Sequence, residues 1–410
     1  MTPQRCRKRP NLSQLGRHPH LLPAFVRQSA VAMRYLHLLA PLDWERFPER
    51  DLQTDWGQPT VPFASFTAAC LVKLDQRLVY MSHLRQYLIE HPALVWILGF
   101  PVVPSSHTPW GFDLKDYVEN RYDKTRQPCG DPDCRLGCKR RRNQRASSKE
   151  PPPTPADNPL PANTLPVGEF YWGYASGVVA TRVPGWGEFV LAELTLPFDQ
   201  PDVAYFHPLI ADTERRLGFR PQYGAFDAAF DAFYVYEYFH RDGEPIEAAF
   251  AAVPLSKRGG KRRRFDAQGL PLCDAGLAMP LKLTFICRTT RFEHERGRYV
   301  CPLIFPEPTG EACPIQHKNW PKGCITTLAT SVGARIRHQL DRESEIYKEI
   351  YRQRTATERI NSQAVELGSE RPRLRNGQAI ANQNSLIYVL INLRALQRVR
   401  RKKAERNSSA

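Results

Sequence analysis

The stretch Tyr223-Gly-Ala-Phe-Asp227-Ala-Ala-Phe-Asp231 reads as a short strand whose end presents a carboxylate. Its neighbours decide the fold class. Upstream, two β-rich runs at 171–183 and 188–196 flank Pro184-Gly-Trp-Gly187, the composition of a turn between antiparallel strands. A helical stretch at 204–217 then stops at Gly218. Downstream, the pattern predicts a helix over 232–240 and a strand over 248–255. Strand pair, helix, strand ending in Asp227, helix and strand make a mixed α/β order of elements.

A second stretch, Tyr351-Arg-Gln-Arg354-Thr-Ala-Thr-Glu358, reads as helix. At about 100° per residue, Tyr351, Arg354 and Glu358 fall within roughly 60° of one another, and Tyr347 joins them one turn earlier. An ordinary solvated helix face shows the same spacing, so the pattern alone does not make a site. Helices are expected over 336–367 and 378–400, and a basic, frayed tail over 401–410. The N-terminal region, 1–108, carries apolar residues at helical spacing over 66–78 and 84–98 and reads as all-α, with a basic opening that reads equally as a contact for DNA ends or as a loose tail. Residues 109–168 are rich in Cys, Arg and Pro and read as a largely irregular linker. Its basic run includes Arg140 and Arg141. A β-rich insertion is expected at about 257–330, with strands over 281–287 and 299–305. It opens on a surface loop whose Lys261, Arg262, Arg263 and Arg264 are placed to face DNA.

The chain has 410 residues, 58 Lys and Arg against 42 Asp and Glu, and a net charge of +16, which favours a polyanionic partner through counterion release and long-range steering. Its apolar runs, such as 94–100 and 386–393, fall short of the ~18 residues of a membrane span. The basic start leads into no apolar signal core, so a soluble, cytoplasmic, nucleoid-associated protein is expected. Ten Cys in that setting are thiols or metal ligands rather than a disulfide framework.

Asp227 and Glu358 suit hydrolysis or transfer of a phosphodiester by two divalent metals, which needs carboxylates converging from different elements. The segment Tyr223–Asp231 resembles the second-Asp motif of prokaryotic insertion-sequence DDE transposases, with Asp227 at the catalytic position and Asp231 at the accompanying one. Tyr351, Arg354 and Glu358 are similar to the family's Tyr-x2-Arg-x3-Glu-x6-Lys signature, although Val365 stands in place of its Lys. The resemblance spans most of 170–400. It implies a ribonuclease-H-like mixed sheet with helices and a β-rich insertion, in a catalytic domain over 169–400. It also implies two Mg2+ ions held by three acids, cutting and joining of double-stranded DNA at terminal repeats and target, and a homodimer on DNA. Tyr351, Arg354 and Arg359 are then phosphate contacts. The fold's first strand, with its Asp, should precede the strand pair. Phe112-Asp113 is the nearest candidate and lacks an apolar run, which points to a copy that has lost a segment near 110–115. The alternatives are a non-catalytic DNA-binding remnant or repressor, and a metal-dependent nuclease without strand transfer.

Cys301, Cys313, His317 and Cys324 can make a closed tetrahedral zinc site, but the set lacks a tight Cys-x2-Cys pair, and buried cysteines explain it as well. Cys129, Cys134 and Cys138 form a second cluster. No nucleophile elbow, Walker loop or dinucleotide fingerprint occurs.

Overall fold

The structure is a computed structural model describing residues 10–49, 61–100, 131–139, 169–256, 262–288, 292–370, 372–374 and 376–408. Helices α1 (Leu12–Arg17), α2 (Ala24–Arg27), α3 (Ala30–Leu39), α4 (Phe63–Asp75), α5 (Met81–Glu90) and α6 (Pro92–Leu98) come first. Strands β1 (Arg135–Lys139), β2 (Glu169–Val183) and β3 (Gly187–Pro197) precede α7 (Phe206–Leu217), β4 (Tyr223–Ala225), α8 (Phe233–Phe239) and β5 (Phe250–Ala252). The remainder is β6 (Leu281–Cys287), β7 (His294–Val300), β8 (Ile325–Ala329), α9 (Val332–Gln339), α10 (Glu345–Arg352), α11 (Thr355–Glu366) and α12 (Gly377–Ser408). The chain is mixed α/β. Its named strands form three small sheets: antiparallel β1-β2-β3, parallel β4-β5 and antiparallel β6-β7-β8. It divides into one unit of residues 1–200 with 356–410 and another of 201–355.

In the first unit, local signals set the helix ends. Ser29 caps α3 by accepting the Ala32 N–H, and Pro92 opens α6, splitting the periodic stretch 84–98 into α5 and α6. The β2–β3 turn closes with the Trp186 N–H on the Val183 carbonyl, and Gly185 takes the left-handed φ of +77° that the turn needs. Leu36, Leu71 and Leu94 share one core with Val190, Ile360, Ile387 and Leu390. The N-terminal helices share that core with later segments, and the unit boundaries differ from the 1–108 region read from periodicity and the 169–400 domain implied by the resemblance. Helix α12 lies along β3, and the Asn392 side chain both donates to the Val190 carbonyl and accepts its N–H, each at 2.8 Å. The buried Asp75 carboxylate on α4 gathers Arg34, Arg394 and the Tyr35 hydroxyl, tying α3 and α12 to α4.

β1 falls inside the stretch expected to be irregular. It pairs with β2 from Arg135↔Gly173 to Lys139↔Glu169. Gly137 makes this possible, since a Cβ there would stand 1.5 Å from a ring carbon of Phe198. Its short, Gly-containing sequence has no apolar alternation, which is why the pattern hides it.

In the second unit, Phe206, Tyr236, Phe239, Phe250 and Ile336 build the core around the parallel pair, with Tyr223↔Phe250 and Ala225↔Ala252 in register. α8 and α9 pack closely at Gly333, where a Cβ would lie 2.1 Å from the Phe233 carbonyl oxygen. The strand expected over 299–305 is instead β7, ending at Val300, because Cys301-Pro302 follows and proline lacks the N–H a ladder requires.

Two further expectations are corrected. The helix expected over 336–367 is three helices, α9, α10 and α11, with Gln353 and Arg354 in a turn held by bonds to the carbonyls of Ile350 and Tyr351. The tail is not frayed: α12 continues to Ser408.

Candidate functional site

Asp227 stands two residues beyond β4, where the Phe226 N–H still bonds to the Ala252 carbonyl and extends the strand pairing. Its carboxylate accepts the Ala229 N–H at 2.8 Å and caps a single helical turn at Ala228–Phe230. The Phe226 ring packs against Phe206, Phe230 and Phe239, so the aromatic core fixes the backbone that presents the half-buried Asp227.

Asp231 takes a different role. Its side chain is 1% exposed and accepts both the Nε and Nη2 of Arg337, the Tyr236 hydroxyl and the Ser256 N–H. With those bonds made, this carboxylate is a structural anchor rather than a companion ligand. Burial and the Asp231 charge push the Tyr236 phenol above its ordinary range.

Tyr347 is 5% exposed and stacks between Phe250 on β5 and Tyr351, with interplanar angles of 10° and 13°. Burial pushes its phenol up to about 12. The Arg354 guanidinium lies over Tyr351, 5.8 Å from the ring centroid. Glu358 is exposed in the first turn of α11, where a carboxylate complements the helix dipole. Ala356, Ile360 and Ala364 bury the opposite face. The break after Arg352 puts Tyr351 and Glu358 on separate helices, so the single continuous face expected from 100° spacing does not exist. Asp227 belongs to the second unit and Glu358 to the first.

The cations divide likewise. Arg359 is ion-paired with Glu188, which raises its pKa. Arg262 donates to the carbonyls of His338 and Gln339 at the end of α9, and the backbone N–H of Arg263 donates to His338 Nδ1. Arg264 is exposed. Asp113, Arg140, Arg141 and Lys261 lie outside the described residues, as does Cys129.

Asp131 and Asp133, whose surroundings in the sequence are less strand-like than those of Asp113, precede β1. Asp131 is fully buried and accepts the Tyr174 hydroxyl at 2.6 Å, whereas Asp133 is exposed. The turn signal Asp131-Pro-Asp133 was the available clue.

Cys301 and Cys313 are buried in a small cluster with Leu303, against which Trp320 and Cys324 pack. Burial, together with the neighbouring Cys301 and Cys273, pushes the Cys324 thiol up to about 12. His317 Nδ1 accepts the Asn319 N–H, and its buried Nε2 has no hydrogen-bond partner. Among the described residues, no group of three or more His, Cys, Asp or Glu side chains is arranged to hold a metal ion. No described helix is long and apolar enough to cross a membrane. Comparisons with protein-family models, curated proteins and solved structures find no match for this chain.

Proposed function

We propose that the chain is a DDE-type transposase that cuts and joins DNA at the ends of a mobile element, with a ribonuclease-H-like catalytic fold. The observation that carries this reading is the position of Asp227, a half-buried carboxylate just past β4 of a parallel pair flanked by α7 and α8. That is where the resemblance expects the second metal-binding acid. Glu358, exposed at the start of α11, is the third acid in the same reading. Carboxylate oxygens suit Mg2+, which when bound would stabilise the charge on attacking and leaving oxygens. Tyr351 and Arg354 supply an aromatic and a cation near α10's end, fit for a phosphate.

In this reading β1, which precedes the β2–β3 pair and pairs antiparallel with β2, is taken as the first strand. The acids precede β1 rather than end it. In this reading Asp133, exposed, supplies the first carboxylate, while Asp131 is held by Tyr174. Asp133→Asn should abolish Mg2+- or Mn2+-dependent cleavage of DNA carrying the element's terminal repeats, and Asp113→Ala should leave it intact. The reverse result would restore Asp113 as the first acid.

A non-catalytic DNA-binding protein is the second reading, which the net charge of +16 suits equally well. It is distinguished by DNA binding without cleavage at any divalent metal concentration.

A further inference from the structure

Within the first unit, the β2–β3 turn and the helices α11 and α12 border an open cleft of about 310 Å3. Arg182, Arg398 and Lys402 line it together with Trp186, Gln363 and Glu188. The charges are unbalanced. Glu188, the acid of the lining, is already paired with Arg359. Arg182 and Arg398 have no ion-pair partner among the described residues, and Lys402 donates to the Gly185 carbonyl at 3.2 Å. Like charges brought together without counter-charges cost free energy unless an anion occupies the space between them.

The helix beyond the cleft extends the charge. α12 leaves its core after Ala395, and Arg398, Arg400, Arg401, Lys402, Lys403 and Arg406 follow, with Glu405 the acid among them. Over residues 398–408 that is about 15 Å of cationic helix at 1.5 Å per residue. The Arg406 guanidinium covers Trp186 at 4.8 Å from its ring centroid, so the helix end is seated on the turn. A membrane surface is the poorer match, because residues 398–408 offer Val399 and Ala404 in place of the broad apolar face an interfacial helix needs. A free phosphate would satisfy the cleft but leave the stripe unused.

We propose that this cleft and the adjoining end of α12 bind the phosphodiester backbone of duplex DNA, with Arg182, Arg398 and Lys402 each facing a phosphate. The contact is independent of base sequence, as backbone contacts are. It rests on the reading of the chain as a DNA-acting protein and adds to it a surface remote in sequence from the resemblance's phosphate contacts at Tyr351 and Arg354.

The test is fluorescence anisotropy of the full chain with a labelled duplex of about 30 base pairs across a salt series, for the native protein and the Arg182→Ala, Arg398→Ala, Lys402→Ala triple variant. Each phosphate contact contributes about 0.9 to the slope of log affinity against log salt. The triple variant should therefore lose roughly two to three from that slope and bind at least tenfold more weakly at about 0.1 M salt. Arg182→Gln alone should lose close to one, and this variant keeps the question answerable if the triple variant does not fold. Unchanged slope and affinity would overturn the proposal. So would selective loss of binding to phosphatidylserine vesicles, or competition by millimolar pyrophosphate that abolishes all DNA binding. Cleavage separates this from the functional reading: a chain that never cuts DNA but shows the slope change keeps the cleft, and a chain that cuts with an unchanged slope loses it.

Discussion

The Arg337 guanidinium meets Asp231 with both partners nearly removed from solvent, at 11% and 1% exposure. A buried pair of this kind is weak evidence of net stabilisation, but removing one member strands the other charge. Arg337→Ala should lower the unfolding free energy by about 3–5 kcal/mol in denaturant titration. A loss under about 1 kcal/mol would show that water reaches Asp231. The neighbouring His338 gives a pH dependence. It is 4% exposed, with the Arg263 N–H on Nδ1 and the Arg337 guanidinium 3.3 Å from Nε2. Burial, with Arg337 and Arg263 adding to it, depresses its pKa from 6.5 to about 4. Between those values the unfolded chain binds the proton more readily, so stability is full above about 6.5 and declines as pH falls toward 4. The decline attributable to this group is at most about 1.4 kcal/mol per pH unit. His338→Gln should flatten that part of the stability profile, and an unaltered profile would place the titration elsewhere.

At the scale of elements, α12 and β3 are joined by a side chain acting as a strand. Asn392 satisfies both backbone groups of Val190, so Asn392→Ala should cost about 1–3 kcal/mol, measured by thermal or urea unfolding. Asn392→Asp, which keeps the acceptor and loses the donor, should also destabilise. What was legible in the sequence at this scale follows the strength of periodicity. The β2–β3 hairpin, α7 and β6 fall close to their expected bounds because alternation or a Gly stop marks them. β1 was hidden, since Leu136 is the sole large apolar residue in its five positions and its place is set by Phe198 packing on Gly137. The interruption after Arg352 was hidden too, because nothing in Gln353-Arg354-Thr355 is a helix breaker and the break is defined by turn hydrogen bonds. At the site, Asp227 was readable as a strand-end acid, whereas the full engagement of Asp231 depends on Arg337, 106 residues away.

For the whole molecule, the chain's excess of cations is only partly a surface for ligands. Arg34, Arg262, Arg337, Arg342, Arg359 and Arg394 are committed to carboxylates, carbonyls or phenols within the fold. Arg182 and Arg398 at the α12 cleft have no such partner among the described residues, so the net charge of +16 understates how unevenly the binding potential is distributed. Asp227 lies in the second unit and Glu358 in the first, and the proposed function assigns a metal-binding role to each. Both acids should therefore be necessary, and neither should be needed for binding. The direct measurement is Mg2+-dependent strand cleavage of terminal-repeat DNA by the purified chain, beside Asp227→Asn and Glu358→Gln. Cleavage by the native chain, reversibly abolished by EDTA and lost by at least a hundredfold in either variant with DNA affinity retained, is the expected result; equal cleavage by all three proteins, or none by any, would contradict the assignment of Asp227 and Glu358 to a catalytic metal centre.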